Sequence, residues 1–280
     1  MTRLAPPVPY YGSKQTIGPA ITALLPAHEH YVEPYAGSLA VLLAKRPSRM
    51  ETVNDLDGDL MHFWKMLRDD ALELERVCAL TPHSRAEYEA ARNVDLTAVS
   101  DLERARLVWV RLTQGRAGTL RSSTGWRHFQ DAAGSSSGMP RYLAGYVSRL
   151  APVADRLASV SLECRPALDL IQAYGRHPGV LLYVDPPYLG STRARNYRHE
   201  MGGENDHREL HAALDACRAA VVLSGYHSPL YDDLYDGWHR LELEAHTGQA
   251  NGNNQARTEV LWSNRPFLNA TPALFDEVVA

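Results

Sequence analysis

Short apolar runs alternate with helix-forming segments at both ends of the chain, and this alternation is the strongest constraint on the fold. Near the start, strand-like runs at 30–36 and 50–54 precede helical segments at 39–45 and from Asn54 onward. Strand-like runs return at 160–163, 180–184 and 219–224, separated by helical segments near 166–174 and 206–217. Repeated strand–helix units are typical of a parallel sheet covered on both faces. The sequence therefore predicts an α/β fold with a doubly wound, mostly parallel sheet.

The middle of the chain interrupts this alternation. Helical segments near 70–92 and 100–113 and a helix over Tyr142–Leu157 flank a stretch rich in Gly, Ser, Thr and Arg from Gly115 to Gly138. Near the end, the runs Trp238–Leu243 and Glu259–Trp262, separated by a Gly/Asn-rich segment at 248–254, are typical of a β-hairpin. We therefore divide the chain into a first part of the sheet domain at 1–69, a helical insertion at 70–159 and a second part at 160–280.

Composition excludes several classes of protein. The chain has 280 residues, of which 45% are hydrophobic, so it can form a full core and is not extensively disordered. Its net charge of −4 leaves no global basic field, so binding to phosphates requires a local patch. The three cysteines have no spacing typical of a zinc site or a disulfide framework. With no apolar run near the about 18 residues that span a bilayer, we expect a cytoplasmic protein that makes no use of a membrane.

The tetrapeptide Asp185-Pro186-Pro187-Tyr188 directly follows the apolar run at 180–184. In a parallel sheet this places it at the carboxyl end of a strand, where ligands bind. Two successive prolines stiffen the turn and leave carbonyl oxygens, notably that of Pro186, free to accept hydrogen bonds. A carboxylate, a carbonyl and an aromatic face suit a planar group with an amino function, because both N–H hydrogens then find acceptors. The alternative is an ordinary proline turn with an exposed tyrosine.

The same tetrapeptide, with Tyr31–Ser38 far upstream, resembles the S-adenosylmethionine-dependent DNA adenine-N6 methyltransferases of the Dam type, the D12 class. Further matches follow in the order of that family at Tyr10–Lys14, Asn54-Asp55 and Thr258–Asn264. Only the middle of the chain matches loosely, as expected for a target-recognition insertion. The resemblance implies a class I methyltransferase-like fold. It also implies methyl transfer to adenine N6 at specific sites in double-stranded DNA, with the base flipped out of the duplex.

The resemblance further implies which residues hold the cofactor and the target. Lys14 is expected to pair with the methionine carboxylate of S-adenosylmethionine, and Asp55 to accept hydrogen bonds from the ribose hydroxyls. A helix N-cap is the alternative role for Asp55, or for Asn54 beside it. The expected cofactor-binding residues are Tyr10, Lys14, Tyr31, Glu33, Pro34, Gly37, Ser38, Asp55 and Asp185. The expected catalytic residues are Asp185, Pro186, Pro187 and Tyr188.

One turn departs from the family pattern. The family often has three glycines after the first strand, whereas this chain has Gly37-Ser38-Leu39. The backbone can still approach a cofactor at Gly37, but the Leu39 side chain must either narrow the pocket or turn toward the core. The turn also lacks the Gly-x-Gly-x-x-Gly pattern of nicotinamide-dependent dehydrogenases, which argues against hydride transfer.

A local basic segment lies within the insertion. Six arginines and no acidic residue occur between Arg104 and Arg127, in a chain that is acidic overall. Arg104 and Arg106 fit the solvated face of a helix, whereas later arginines resemble the DNA-contacting hairpin of the family. A flexible basic loop without base readout is the alternative. The expected DNA-binding residues are Arg111, Arg116, Arg121, Arg127, Arg195 and Tyr197.

Other interpretations of the chain remain open at this point. An N4-cytosine methyltransferase would use the same turn, since the turn can hold any exocyclic amine. A catalytically silent DNA-binding relative and, more remotely, a protein-glutamine methyltransferase are further alternatives. His207 and His211 have the i, i+4 spacing of helix metal ligands, but without further ligands we expect no metal. We expect a monomer.

Overall fold

A seven-stranded sheet forms the centre of the molecule. The computed structural model describes residues 4–120, 125–129, 138–189, 201, 203–246 and 256–269. Within these ranges the strands are β1 (His30–Glu33), β2 (Met50–Asn54), β3 (Ser161–Glu163), β4 (Val180–Val184), β5 (Ala220–Gly225), β6 (His239–His246) and β7 (Ala256–Ser263). Their order in the sheet is β3-β2-β1-β4-β5-β7-β6. Strands β1 to β5 pair in parallel, and β7 pairs antiparallel with both β5 and β6.

Helices cover both faces of this sheet. In the described ranges they are α1 (Gly18–Leu24), α2 (Ala40–Ala44), α3 (Gly58–Asp69), α4 (Ala71–Leu80), α5 (Arg85–Asn93), α6 (Asp101–Gln114), α7 (Gly138–Val147), α8 (Leu150–Leu157), α9 (Ala167–Tyr174), α10 (Glu204–Asp215) and α11 (Pro229–Leu234). The predicted doubly wound, mostly parallel sheet is confirmed, as is the terminal hairpin of β6 and β7. The predicted 248–254 loop lies outside the described residues.

Strand β4 is apolar throughout because it is buried on both faces. Leu181 and Tyr183 pack into one core with helices that include α3 and α6, while Leu182 and Val184 pack into a second core with α9, α10 and α11. Side chains alternate between the two faces of a strand, so neighbouring residues enter different cores. Asp185, the residue after Val184, is therefore held at the carboxyl end of a rigid central strand.

The helices of the insertion share the first of these cores. Buried residues from α4 to α8 pack in the same cluster as Tyr31 of β1 and Val53 of β2. The single helix predicted over Tyr142–Leu157 is wrong, because the chain forms α7 and α8 there. Pro152 is the third residue of α8, and proline is tolerated only in the first turn of a helix. The boundaries of the insertion at 70 and 159 stay a prediction.

Asn54 ties together the carboxyl ends of three strands. Its side-chain amide donates to the carbonyl oxygens of Pro34 (2.9 Å) and Arg165 (3.0 Å), and its Oδ1 accepts from the Arg165 backbone N–H (3.0 Å). The side chain is fully buried. The alternative role of Asn54 or Asp55 as the cap of α3 is wrong, because Asp57 accepts from the backbone N–H groups of Asp59 and Leu60. The polar ends of β1, β2 and β3 are thus fixed without water.

Replacing Asn54 by alanine should destabilise the sheet edge. The change leaves two carbonyl oxygens and one N–H buried without their partner, so we expect Asn54→Ala to lower the free energy of unfolding by about 2 kcal/mol. Urea denaturation measures this loss. Asn93→Ala, at an exposed position at the end of α5, is the control and should change stability by less than about 0.5 kcal/mol. Equal stability of both variants would contradict the bridging role of Asn54.

Candidate active site

A cavity of about 360 Å³ opens at the carboxyl ends of the parallel strands. It lies where the chain order reverses between β1 and β4, which is the place where doubly wound sheets bind ligands. Its walls come from the segments after β1, β2, β3 and β4, and from an N-terminal segment. These segments are 33–38, 54–57, 166–168, Asp185 with Pro187, and 10–14.

The turn after β1 is held rigidly against this cavity. Gly37 has a φ of +47°, and a Cβ there would lie 3.2 Å from the ring of Tyr10. Its N–H donates to Asp55 Oδ2 (3.0 Å), and its carbonyl oxygen accepts from the indole of Trp64 (3.1 Å). Only glycine combines this conformation with this space. The backbone of the turn is therefore open to a ligand, and Asp55 is oriented by it.

Leu39 resolves the departure from the three-glycine pattern. It has a φ of +60°, which is rare for a residue with a branched side chain, and its side chain is completely buried. The side chain therefore turns into the core rather than narrowing the cavity. Burial of a full leucine side chain offsets the backbone strain that this conformation costs.

The Lys14 cluster, which consists of Lys14, Ser224, Asp185, Tyr188 and Glu259, adjoins the cavity. The Lys14 ammonium lies 2.8 Å from Asp185 Oδ1 and 3.6 Å from Glu259 Oε1, and it donates to the hydroxyl of Tyr188. The Tyr188 hydroxyl lies 2.5 Å from Glu259 Oε1 and 3.0 Å from Asp185 Oδ1. Ser224 donates to the same Glu259 oxygen (2.5 Å). The cluster joins the N-terminal segment, the turn after β4, and β5 and β7.

Burial and the two carboxylates set the protonation of this cluster. Burial by itself would lower the pKa of Lys14, but the charges of Asp185 and Glu259 outweigh it and raise that pKa. Burial raises the pKa of Glu259, and the Asp185 charge adds to this while Lys14 opposes it. Burial and both carboxylates hold the pKa of Tyr188 well above its ordinary value. Lys14 is therefore a cation and Tyr188 a neutral hydroxyl at physiological pH.

Glu33 presents a different kind of carboxyl group to the cavity. It is 2% exposed, and burial raises its pKa to about 8, although the Tyr31 hydroxyl at 2.5 Å from Oε1 opposes the shift. At neutral pH the group is therefore mainly protonated and can donate a hydrogen bond as well as accept one.

The structure brings most of the predicted site residues together. The cavity wall includes Tyr10, Lys14, Glu33, Pro34, Gly37, Ser38, Asp55, Asp185 and Pro187. Tyr31 is fully buried and supports Glu33 instead of lining the cavity. Pro186 is buried, and Tyr188 belongs to the Lys14 cluster. The roles of all these residues stay predictions.

Sequence reasoning assigned no role to Glu259. The residue lies on β7 and is 3% exposed, next to the fully buried Val260 and Leu261. A carboxylate directly before three apolar residues of a strand is a signal that could have identified it, because such a group is rarely buried without a partner. Tyr226, which follows β5, packs edge-on against Tyr188 with ring centroids 4.5 Å apart.

The basic segment of the insertion divides into paired and exposed arginines. Arg104 pairs with Asp59 and Arg106 with Glu87 and Glu103. Arg111 donates to backbone carbonyls at the end of α5. Arg116 is exposed. Of the remaining predicted DNA contacts, Arg127 donates to the Gly115 and Arg116 carbonyls, whereas Arg121, Arg195 and Tyr197 lie outside the described residues.

The loop that bears Arg116 lies next to the cavity. The residues 114–116 and 125–127 pair through backbone hydrogen bonds, including Arg127 N–H to the Gln114 carbonyl (2.7 Å) and an antiparallel bridge between Gly115 and Trp126. The Trp126 ring stacks on His83 at 4.4 Å between ring centroids. The Tyr11 N–H donates to the Gly118 carbonyl (2.9 Å), which connects this loop to the N-terminal wall of the cavity.

The two histidines with metal-ligand spacing have other partners. His207 is buried and hydrogen-bonds to the Tyr231 hydroxyl (2.8 Å), and His211 packs against the Tyr235 ring. Across the described ranges, no group of three or more His, Cys, Asp or Glu side chains is arranged to hold a metal ion. In the same part of the chain, no helix is both long and apolar enough to cross a bilayer.

Comparison with known proteins identifies the family. The chain is 25% identical to the Type II methyltransferase M1.LlaDCHI of Lactococcus lactis subsp. cremoris, over 93% of this chain and 95% of that protein. It is 24% identical to the Retron Ec67 DNA adenine methylase of Escherichia coli, over 89% and 88% of the two chains. A solved SAM-dependent methyltransferase from Agrobacterium tumefaciens is 12% identical with a TM-score of 0.35, over 88% of this chain and 58% of that one.

The family assignment rests on a match along most of the sequence. The model of the D12 class N6 adenine-specific DNA methyltransferases matches residues 10–249, which include both the cavity wall and the turn after β4. The chain belongs to the D12 class of N6 adenine-specific DNA methyltransferases, which are S-adenosylmethionine-dependent enzymes.

Proposed function

We propose that the enzyme methylates adenine N6 at specific sites in double-stranded DNA, on a base rotated out of the duplex, and that Asp185 and the Pro186 carbonyl hold the target amine. One observation carries this proposal. Asp185 directly follows the central strand β4 and lines the cavity. Its Oδ1 accepts a hydrogen bond from Lys14, whereas its Oδ2 accepts no hydrogen bond from any described residue. A carboxylate oriented by one oxygen and open at the other is suited to accept an N–H from a substrate.

The walls of the cavity fit S-adenosylmethionine. Lys14 offers its positive charge to the methionine carboxylate, while its ammonium donates to the Gly12 carbonyl, Asp185 and Tyr188. Asp55, already oriented by two backbone N–H groups, offers acceptors to ribose hydroxyls. Gly37 has no side chain between its backbone and the Tyr10 ring, so the backbone stays accessible to the cofactor. Leu56, which is 45% exposed, and Pro166 offer apolar surface to the purine ring. The bound cofactor would supply a methyl group on a positively charged sulfur: as a neutral amine forms the N–C bond, the C–S bond would break, S-adenosylhomocysteine would leave as a neutral thioether, and the amine would then lose one proton.

The chain's own residues then orient the target. The lone pair of adenine N6 is delocalised into the ring, so the amine is a poor nucleophile. Two acceptors that bind both N–H hydrogens localise this lone pair and direct it to one side. Asp185 and the Pro186 carbonyl supply the acceptors, and the Tyr188 ring supplies a surface for stacking. This is catalysis by positioning and electrostatics rather than by a strong base.

Base rotation follows from the depth of the site. Asp185 is 18% exposed and adjoins a cavity at the edge of the sheet. A base inside a duplex cannot reach such a group, so the nucleotide must leave the stack at a cost of a few kcal/mol. The loop that bears Arg116 adjoins the N-terminal wall of the cavity, which supports a contact between this loop and the surrounding phosphates.

Removal of the Asp185 carboxylate should abolish methylation while largely sparing cofactor binding. We expect Asp185→Ala to lower kcat by at least about a hundredfold, because it removes an acceptor for the target amine. Transfer of tritiated methyl groups to unmethylated plasmid DNA measures this, and calorimetry with S-adenosylmethionine measures binding. Undiminished turnover in the variant would refute the role of Asp185.

The methylated nucleoside that the parent enzyme produces tests which base is the substrate. Nucleosides from DNA that it has treated should contain N6-methyladenine. N4-methylcytosine in its place would overturn the choice of base. DNA binding without any methyl transfer would instead favour a silent binding protein.

Arg116 should contribute to the salt dependence of DNA binding. Its exposed guanidinium lies in the basic loop, so Arg116→Ala should weaken binding and reduce the slope of log Kd against log salt by about 0.9. Fluorescence anisotropy with a labelled duplex over a range of salt concentrations measures the slope. Arg76→Ala is the matched control, since Arg76 is an exposed arginine of α4 that pairs with Glu73. An unchanged slope in the Arg116 variant would remove this residue from the interface.

A further inference from the structure

Glu259 is a buried carboxylate whose contacts all lead toward the catalytic turn. Its Oε1 lies 2.5 Å from both the Tyr188 hydroxyl and the Ser224 hydroxyl, and 3.6 Å from the Lys14 ammonium. A buried charge is costly unless it is paired, and even a buried ion pair is weak evidence for stability, because a well-packed apolar pair of similar volume is often as stable. The presence of this carboxylate in the strand next to β5 therefore calls for a role other than holding the sheet together.

The Tyr188 hydroxyl has two carboxylates within reach but only one proton to donate. Glu259 Oε1 is 2.5 Å away and Asp185 Oδ1 is 3.0 Å away. The shorter contact assigns the proton to Glu259, and the oxygen of the same hydroxyl accepts from Lys14. As a result, Asp185 Oδ1 receives a strong hydrogen bond from Lys14 alone.

We propose that Glu259 is a positioning residue for methyl transfer. Glu259 accepts the hydrogen bond of the Tyr188 hydroxyl and shares the charge of Lys14. Asp185 therefore keeps its capacity to accept from the target amine, and the Tyr188 ring is fixed beside it. This inference rests on the proposed function, because it concerns the same turn. It assigns Glu259 no contact with the substrate.

The substitution Glu259→Gln removes the negative charge of residue 259 and leaves the size of the side chain nearly unchanged. Glutamine has nearly the same size and keeps an oxygen for Ser224, but a neutral amide is a weaker acceptor than a carboxylate. The Tyr188 hydroxyl then donates to Asp185 Oδ1, which withdraws negative charge from the carboxylate and makes its Oδ2 a weaker acceptor for the target amine. We expect the rate constant of methyl transfer in a single turnover to fall about ten- to a hundredfold, with the Kd of S-adenosylmethionine and of DNA within about threefold of the parent.

A second substitution tests whether the effect passes through the Tyr188 hydroxyl. Tyr188→Phe keeps the ring and removes the hydroxyl that donates a hydrogen bond to Glu259. If the inference holds, Glu259→Gln has a much smaller effect on the single-turnover rate in the Tyr188→Phe enzyme than in the parent. A merely structural role would lower the thermal midpoint and give the same rate loss in both backgrounds.

Glu242→Gln is the control for removal of a carboxylate from the same hairpin. Glu242 lies on β6, is half exposed and pairs with Arg240, so the rate should not change. An unchanged rate in Glu259→Gln, or equal losses with and without the Tyr188 hydroxyl, would overturn the inference while the methyltransferase activity stands. Absence of methyl transfer by the parent enzyme would overturn the proposed function and this inference together.

Discussion

The ion pairing of one buried lysine organises the active site. The Lys14 ammonium is almost fully buried, and its partners Asp185 and Glu259 come from the turn after β4 and from β7, which are distant in sequence. A buried ammonium without carboxylates would be costly, and the carboxylates without the ammonium would repel each other. The N-terminal segment, the turn after β4 and the terminal hairpin therefore depend on one another. A change in any of these segments alters the electrostatic environment of the Asp185 carboxylate, which lines the cavity.

The sheet supplies the rigidity that this electrostatic arrangement needs. Strand β4 is buried on both faces, and its neighbours β1 and β5 align with it in parallel. Asn54 and Asp55 fix the ends of β1, β2 and β3 through hydrogen bonds to backbone groups. Groups held this way need little reorganisation when a substrate binds, which is the condition for catalysis by positioning.

The number of arginines in the insertion does not indicate how many of them can bind DNA, because several already have partners within the protein. Its arginines suggest one basic face in the sequence. In the structure, Arg104 and Arg106 neutralise carboxylates, and Arg111 is bound to the end of α5. Arg116 is exposed in a loop that contacts the N-terminal wall of the cavity through Gly118 and Tyr11. A guanidinium can bind a phosphate only where its own protein has left its donors available.

The sequence by itself determined the α/β class, the parallel strands, the terminal hairpin and the turn at Asp185, because strand and helix periodicity and proline chemistry are local properties. It also indicated most of the cavity wall, through motifs that resemble those of the family, and those after β1, β2 and β4 meet at one edge of a parallel sheet. Only the tertiary structure decided that Asp57 and not Asp55 caps α3, that Leu39 turns into the core, and that Glu259 joins Lys14. These outcomes depend on which distant groups compete for the same space, proton or charge, and no local pattern records that competition.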